Sequence, residues 1–188
     1  MAYTATNVTT AKQGATATVS VAPAGTTLPT NATTALANAF TSLGHISEDG
    51  VTKSISRDSS DIVNMDGAPV YNVQTGITGT VQFGLLEGLN PETMKMVYGG
   101  GNVTGTLSNG ITANFTADEP EEMVVVIDTI LRGNVLQRTV IPRAKVTDTG
   151  DIVYKNDEAL IYDITMTAAL SDAGKLWTEY TANKPSGN

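Results

Sequence analysis

Asp148-Thr149-Gly150 is the closest approach to a catalytic signature, since the tripeptide occurs around the catalytic aspartate of aspartic proteases. That chemistry needs a second aspartate across a shared pocket, so that one carboxyl is protonated while the other is ionised. It also needs Ser, Thr or Ala as the following residue, where this chain has Asp151. Because the tripeptide lies between two strand-like runs, the sequence favours a hairpin turn here.

Metal and cofactor chemistry finds equally little support. The acids that lie close enough in sequence to gather calcium do not have the spacing of a twelve-residue calcium loop; they are Asp148, Asp151, Asp157 and Glu158. His45 is the only histidine and cysteine is absent, which excludes a His-centred metal cluster, a Ser–His relay and a zinc–thiolate site. Gly99-Gly100-Gly101 lacks the further glycine at position 104 that a phosphate-binding loop requires. The sequence therefore predicts no catalytic residue, metal site or cofactor.

Composition points to one structural domain. The chain has 188 residues, 40% of them hydrophobic, which is enough to fold alone as a single domain over 1–188. Its net charge of −8 argues against a surface that grips nucleic acid. The N-terminus has no basic stretch followed by an apolar run, and no window is long and apolar enough to cross a membrane. We therefore expect a protein that begins in the cytoplasm of the cell that makes it, with no membrane partner.

Alternation with period two dominates the polar and apolar pattern. In the clearest case Leu160, Tyr162 and Ile164 share one face, and Asp163 and Thr165 share the other. One dry face and one wet face indicate antiparallel strands packed as a sandwich or barrel. The segments with this pattern are 15–22, 51–57, 76–86, 122–132 and 159–170. The fold class is therefore predicted to be mainly β.

Helical signals are few. Asn90-Pro91-Glu92 supplies an N-cap, a proline at the first helical position and an acid that the helix dipole favours. Gly99 ends the segment, so the sequence predicts one short helix over 90–98. A second short helix is predicted over 33–42.

Three segments do not have the composition of a core. Residues 1–30 are rich in Thr, Ala and Gly and are predicted to form an extended N-terminal arm. Residues 47–75 mix charges, serines and a Gly-Ala-Pro turn, which predicts a long projecting loop or hairpin. Residues 171–188 are predicted to be a C-terminal arm. Arms of this kind often exist to be bound by neighbours.

The run from Leu43 to Val51, LGHISEDGV, resembles the N-terminal part of major tail proteins of siphophages, particularly those of actinobacterial phages. The similarity continues through RDSSDI at 57–62, FGLLE at 83–87 and NPET at 90–93, and covers about residues 26–100. The stretch 43–62 is its most specific part. His45 stands where a Tyr or another large residue is expected.

The resemblance implies a two-sheet β-sandwich with one flanking helix and extended N-terminal, loop and C-terminal arms. It implies that six copies form a ring, that rings stack into a non-contractile tail tube, and that the arms lock the rings together. Genomic DNA would pass through the tube during ejection without specific binding. The expected partners are further copies of the chain, a tape-measure protein and a tail terminator, in a virion tail assembled in the host cytoplasm. The implied role is structural, not enzymatic.

Two sets of residues follow as candidates for these roles. The charged residues of the projecting segment are the candidates for contacts between rings: Glu48, Asp49, Lys53, Arg57, Asp58 and Asp61. Asp128 and Asp163 are the candidates for the lumen, because each lies on the polar face of a predicted strand and an acidic bore repels phosphate. Their exposure to outer solvent instead is an open alternative.

Three other functions compete with the tail tube. A tail terminator or head–tail connector would also form hexameric rings, but would cap a tube and not repeat along it. An all-β adhesin-like binding module would be a monomer, or would take a donor strand, and would normally carry a secretion signal. A jelly-roll or barrel enzyme would need converging histidines or paired carboxylates, which the sequence does not supply.

Overall fold

The computed structural model describes residues 3–14 and 16–185. Strands make up most of its regular structure, with one α-helix, α1, and short 3₁₀ turns at Ala5–Asn7 and Gly100–Asn102. The elements are β1 (Ala11–Gln13), β2 (Val19–Pro23), β3 (Thr41–Ser42), β4 (Ile46–Val63), β5 (Pro69–Leu85), α1 (Pro91–Tyr98), β6 (Val103–Thr106), β7 (Gly110–Ala113), β8 (Met123–Leu131), β9 (Val135–Thr149), β10 (Tyr162–Ala168) and β11 (Thr178–Asn183). The predicted mainly β class is confirmed.

All strand pairs are antiparallel, and nine strands form one hydrogen-bonded sheet. Seven of them follow one another in the order β3-β2-β8-β9-β10-β5-β4. β1 joins this sheet along β8, and β11 joins it along β9. β6 and β7 form a separate two-stranded ribbon. The long hairpin β4–β5 ends the sheet on one side, with 18 residues in β4 and 17 in β5.

β9 belongs to both layers of the fold. Its first part, 135–140, lies between β8 and β11, and its last part, 144–149, pairs with β10. Pro142 lies between these two parts, where the register with β8 also shifts. Because proline has no N–H to donate, this gap in the ladder is the place where a strand tolerates it. The change of partner at Pro142 divides the sheet into a layer of β3, β2, β8, β11 and the start of β9, and a layer of the end of β9, β10, β5 and β4.

The core lies between these two layers. Alternate residues of the strands supply it, as the period-two pattern predicts. Its fully buried members include Val125 and Ile141 from the first layer and Phe83, Ile164 and Met166 from the second.

The first layer is buried on its outer face as well. Val124, Val126 and Val140 point away from the core and are nonetheless buried. The irregular segment 24–40 lies on this face, because Arg138, two residues before Val140, donates to the carbonyls of Asn31 and Thr34, and Ala32 is buried. Part of the predicted N-terminal arm therefore packs on its own subunit, and residues 178–183 of the predicted C-terminal arm are strand β11. Residues 1, 2, 15 and 186–188 of these arms lie outside the described residues.

Helix α1 begins as the sequence predicts. The Asn90 side chain accepts a hydrogen bond from the Glu92 N–H at 3.0 Å, and Pro91 occupies the first helical position. Gly99, with φ +92°, follows the last helical residue. Met96 and Val97 bury the inner face of the helix against the core.

The predicted helix over 33–42 is wrong. The segment is irregular until β3 begins at Thr41. Asn31 Oδ1 accepts the N–H groups of Thr33 and Thr34, as in the first turn of a helix. The Thr34 carbonyl, which a helix would bond to residue 38, accepts instead from the Arg138 guanidinium at 2.7 Å. A tertiary contact has replaced the local one.

The hairpin turn predicted at Asp148-Thr149-Gly150 is also wrong. β9 continues through Thr149, and Gly150 donates to the Asp163 carbonyl at 2.8 Å. A loop over 150–161 then leads to β10. In the described part of the chain, no helix is long and apolar enough to cross a membrane.

Candidate assembly interface

The β4–β5 hairpin projects beyond the body of the protein. Every residue from Thr52 to Asn72 is exposed, so the side chains on both faces of this two-stranded ribbon are accessible to solvent. Large apolar side chains are among them: Ile62 is 53% exposed, Tyr71 opposite it is 66% exposed, and Met65 at the turn is fully exposed. A two-stranded ribbon without a packed face is marginally stable in water, and contiguous exposed apolar residues mark interaction surfaces.

The base of the hairpin is tied to the segment before α1. The Glu87 carboxylate accepts the His45 N–H and the Asn90 side-chain amide, each at 3.0 Å. Gly44 has φ +80°, and a Cβ there would lie 2.1 Å from the Glu87 carboxyl carbon. The Thr93 hydroxyl, which is fully buried, donates to the Leu43 carbonyl at 3.2 Å. Residues from the 43–51 and 83–93 motifs thus meet in space and fix the direction in which β4 leaves the body.

The six residues predicted to contact another ring all lie on β4, spread along its length. Glu48 and Asp49 lie in the bulge at its base, where pairing with β5 is interrupted between Ile46 and Val51. Lys53 contacts Glu179 of β11 and donates to the Thr139 hydroxyl at 3.0 Å, so this cation is used within the subunit.

The remaining three lie further towards the tip. Arg57 and Asp58 are exposed on opposite faces of β4. Asp61 accepts from the Asn72 side chain of β5 at 2.7 Å. The structure therefore places these charges along one exposed strand and does not gather them into a cluster.

Asp163 lies on a sheet face that is rich in hydroxyl groups. This hydroxyl face is the outer face of the layer formed by β9, β10, β5 and β4. Its members from β4, β5 and β10 alternate with the core residues of the same strands: Thr52, Ser54, Ser56, Thr78, Thr80, Gln82, Asp163, Thr165 and Thr167. Asp58 and Asp148 belong to the same face. Lys145 is also on it, and its ammonium contacts Glu119.

Asp128 lies in a different place, on the outer face of the first layer. Arg138 donates from Nε and Nη2 to the two Asp128 oxygens at 2.7 and 2.9 Å, a bidentate pair. Arg138 Nη1 donates to the carbonyls of Asn31 and Thr34 at 3.2 and 2.7 Å. The Arg138 side chain is 7% exposed and that of Asp128 is 27% exposed. We call this arrangement the Arg138 clasp; it attaches the segment 24–40 to the sheet and compensates the Asp128 charge.

Ion pairing leaves the subunit with a surplus of uncompensated acids. Within the described ranges, six of the eleven Lys and Arg residues are in ion pairs. Hydrogen bonding to the Arg143 guanidinium holds the pKa of Glu122 below its ordinary value, and hydrogen bonding to Lys145 does the same for Glu119. The exposed surface is therefore acidic at neutral pH. In the core, burial raises the pKa of Tyr162 above its ordinary value.

A groove of about 1160 Å³ lies beside helix α1. Its walls are α1, the segment 115–123 that leads into β8, the end of β2 and the last residues of β9. Met96, Val97 and Val146 form an apolar floor. Phe115, 76% exposed, packs edge-to-face on Tyr98 with ring centroids 6.0 Å apart. The sequence gives no sign of this groove, because Phe115 follows the β6–β7 ribbon in a segment whose polar and apolar residues show no periodic pattern.

Two residues considered in the sequence, His45 and Glu158, have partners within the subunit, and so does the tryptophan at 177. His45 lies at the hairpin base, with its Nδ1 3.4 Å from the Gln13 side-chain oxygen. Glu158 contacts Lys155 at 2.6 Å. Trp177 packs over Gly79 of β5, where an added Cβ would lie 2.6 Å from the indole ring. Over residues 3–14 and 16–185, no group of three or more His, Asp or Glu side chains is arranged to hold a metal ion.

Comparison with known proteins identifies the family. The family described as phage tail tube protein matches residues 1–186. Among solved structures, a chain of the virion of a native gene transfer agent particle is similar with a TM-score of 0.43 and 10% identity, over 91% of this chain and 99% of that chain. No curated protein sequence matches significantly. The match over nearly the whole length confirms the resemblance seen at 43–62, and the chain belongs to the phage tail tube protein family as a structural component of a virion tail.

Proposed function

We propose that the chain polymerises as stacked hexameric rings into a non-contractile tail tube, the conduit for DNA ejection, without enzymatic activity of its own. The observation that carries this proposal is the β4–β5 hairpin, which exposes apolar side chains over a length that its own subunit does not cover. A stacked ring needs one contact that closes by rotation and another that repeats along the axis. The hairpin supplies the second.

Ring closure has a candidate in the sheet edges. β4 and β3 end the hydrogen-bonded path on its two sides, so the free backbone groups of β4 can pair with a neighbouring copy. The charged side chains of β4 are proposed to serve the other contact, the one that repeats along the axis. Glu48, Asp49, Arg57, Asp58 and Asp61 are proposed contacts with the next ring. Lys53 is a weaker candidate for a contact with the next ring, since its ammonium already contacts Glu179 of its own subunit.

The hydroxyl face is the proposed lining of the lumen. It presents short hydroxyl side chains, the acids Asp58, Asp148 and Asp163, and one lysine whose charge Glu119 compensates. Because each cation that touches phosphate adds affinity by releasing counterions, a face with this composition lets DNA pass without binding. Six copies at −8 each carry −48, which reinforces the repulsion. In this arrangement Asp128, whose charge Arg138 compensates, lies on the outer wall of the tube.

The other expected partners follow from the tube itself. A tape-measure protein would occupy the lumen during assembly, and a tail terminator would cap the last ring. Assembly would take place in the host cytoplasm, before the tail joins the virion.

Negative-stain electron microscopy of the purified chain at high concentration tests the stacking. Tubes of uniform bore are expected, whereas single rings would indicate a terminator or connector, and monomers under every salt condition would contradict the proposal. Trypsin, which cleaves after Lys53 and Arg57, provides the second measurement. Cleavage at Arg57 should be fast before assembly and slow in tubes, because the hairpin becomes covered.

The lumen assignment has its own test. Asp163→Lys should make assembled tubes retain short DNA duplexes at low salt and release them as salt rises, since the variant adds six ammonium groups per ring. Ala35→Lys adds the same group on the exposed segment over the opposite layer and serves as the matched control. Equal retention by both variants would show that Asp163 does not face the lumen.

A further inference from the structure

The hairpin and the groove beside α1 lie at opposite ends of the subunit. β5 starts at the hairpin turn and runs for 17 residues, about 55 Å, towards α1, which begins six residues after Leu85. β10 pairs Tyr162 with Leu85, and β9 pairs Thr149 with Ile164, so the end of β9 that lines the groove is also at the α1 end. A hairpin tip therefore cannot reach the groove of its own chain.

We propose that the tip of the β4–β5 hairpin, residues 62–71, docks into the α1 groove of a second copy of this chain. This inference rests on the proposed stacking and names the surface that receives the hairpin. Because tip and groove are different surfaces at opposite ends, the contact is heterologous and repeats without closing, as a tube requires.

The chemistry of the two surfaces agrees. Between Ile62 and Tyr71 the only charged residue is Asp66, and the large side chains are apolar. The groove offers an apolar floor and the exposed ring of Phe115. Six acids line the groove: Glu92, Glu119 and Glu122 are paired with Lys95, Lys145 and Arg143, whereas Asp118, Glu121 and Asp148 are in no ion pair with any residue that the structure describes. The apolar contacts, and not charge, therefore favour the tip, and the groove would repel a more acidic segment. A nearly neutral, apolar segment is the kind of occupant that this groove fits.

Cross-linking between single-cysteine variants tests the contact, because the chain contains no cysteine of its own. Met65→Cys and Phe115→Cys proteins are mixed, allowed to assemble, and treated with a short bismaleimide. A mixed dimer should form in tubes and not in dispersed protein. Val8→Cys replaces Phe115→Cys in the control, since Val8 is 68% exposed just before β1, which pairs with β8 at the end of that strand away from the groove.

Methionine oxidation gives a second measurement on the unmodified chain. Met65 is fully exposed in the free subunit and should lose at least about 90% of its oxidation rate in tubes, a tenfold change equivalent to about 1.4 kcal/mol of protection. Met166 is buried in the core, does not line the groove and serves as the internal reference.

The outcomes separate this inference from the proposed function. Tubes in which the cysteine at position 65 cross-links to position 115 no more than to position 8, or in which Met65 is oxidised as fast as in free protein, would overturn the docking and leave the tube intact. A chain that never forms tubes would overturn both.

Discussion

Replacing Arg138 by methionine should destabilise the subunit more than any exposed charge change. The substitution keeps an unbranched stem but removes the guanidinium, and with it the contacts with Asp128 and with the carbonyls of Asn31 and Thr34. Removing one partner of a fully buried ion pair costs roughly 3–5 kcal/mol. Asp128 is 27% exposed and water can reach it, so we expect about 3 kcal/mol, including the two lost carbonyl bonds.

Thermal and urea unfolding of the dispersed subunit measure this change. For a chain of this size, about 3 kcal/mol corresponds to a fall in Tm of about 6–12 °C. Asp128→Ala should cost less, because Arg138 keeps both carbonyl acceptors. Arg138→Lys should recover only part of the loss, since an ammonium cannot span the carboxylate and the carbonyls at once.

Lys155→Met is the control, as it breaks an exposed Lys155–Glu158 pair and should change stability by no more than about 0.5 kcal/mol. Proteolysis supplies a local readout: the segment 24–40 should be cleaved faster in Arg138→Met than in the control. An Arg138→Met protein that unfolds within about 1 kcal/mol of the parent, with 24–40 still protected, would refute the role assigned to the clasp.

Two further predictions concern the packing of Trp177 on Gly79 in the second layer and the Glu122–Arg143 ion pair at the surface. Gly79→Ala should push Trp177, the only tryptophan, off β5 and shift its fluorescence to longer wavelength, whereas Gly101→Ala, with open space at the Cβ position, should leave the emission unchanged. Glu122, whose pKa is lowered by Arg143, should stabilise the fold above the ordinary carboxyl pKa of about 4.3 and lose this contribution as the pH falls through its lower folded value. Tm measured against pH should therefore fall less steeply at acid pH in Glu122→Gln, and an unchanged acid slope would argue against the pair.

The helix over 90–98 could be predicted because its signals are local. Asn90, Pro91 and the glycine at 99 each act on their immediate neighbours, and the structure uses them as the sequence suggests. The segment 33–42 shows the opposite case. Its conformation depends on Arg138, more than a hundred residues away, so no local signal could reveal that the Thr34 carbonyl was already used.

β9 was not among the predicted strands, for a related reason. Pro142 and three basic residues interrupt its pattern. A proline inside a run normally argues against a strand, and only the change of partner between β11 and β10 makes this position acceptable. Likewise, Asp128 and Asp163 are equivalent as polar residues on amphipathic strands. The tertiary structure distinguishes them, because only one of the two faces is covered by the chain itself.

The amino-acid sequence by itself determined the mainly β class, the single capped helix and the family, because period-two alternation, capping residues and a specific run such as 43–51 are all local properties. Only the tertiary structure decided which acids are compensated, that motif residues meet around Glu87, and that a groove faces away from the hairpin tip. These features depend on strand order and on the bend of β9 at Pro142, which bring together residues that are far apart in the chain. Packing, not local pattern, determines them.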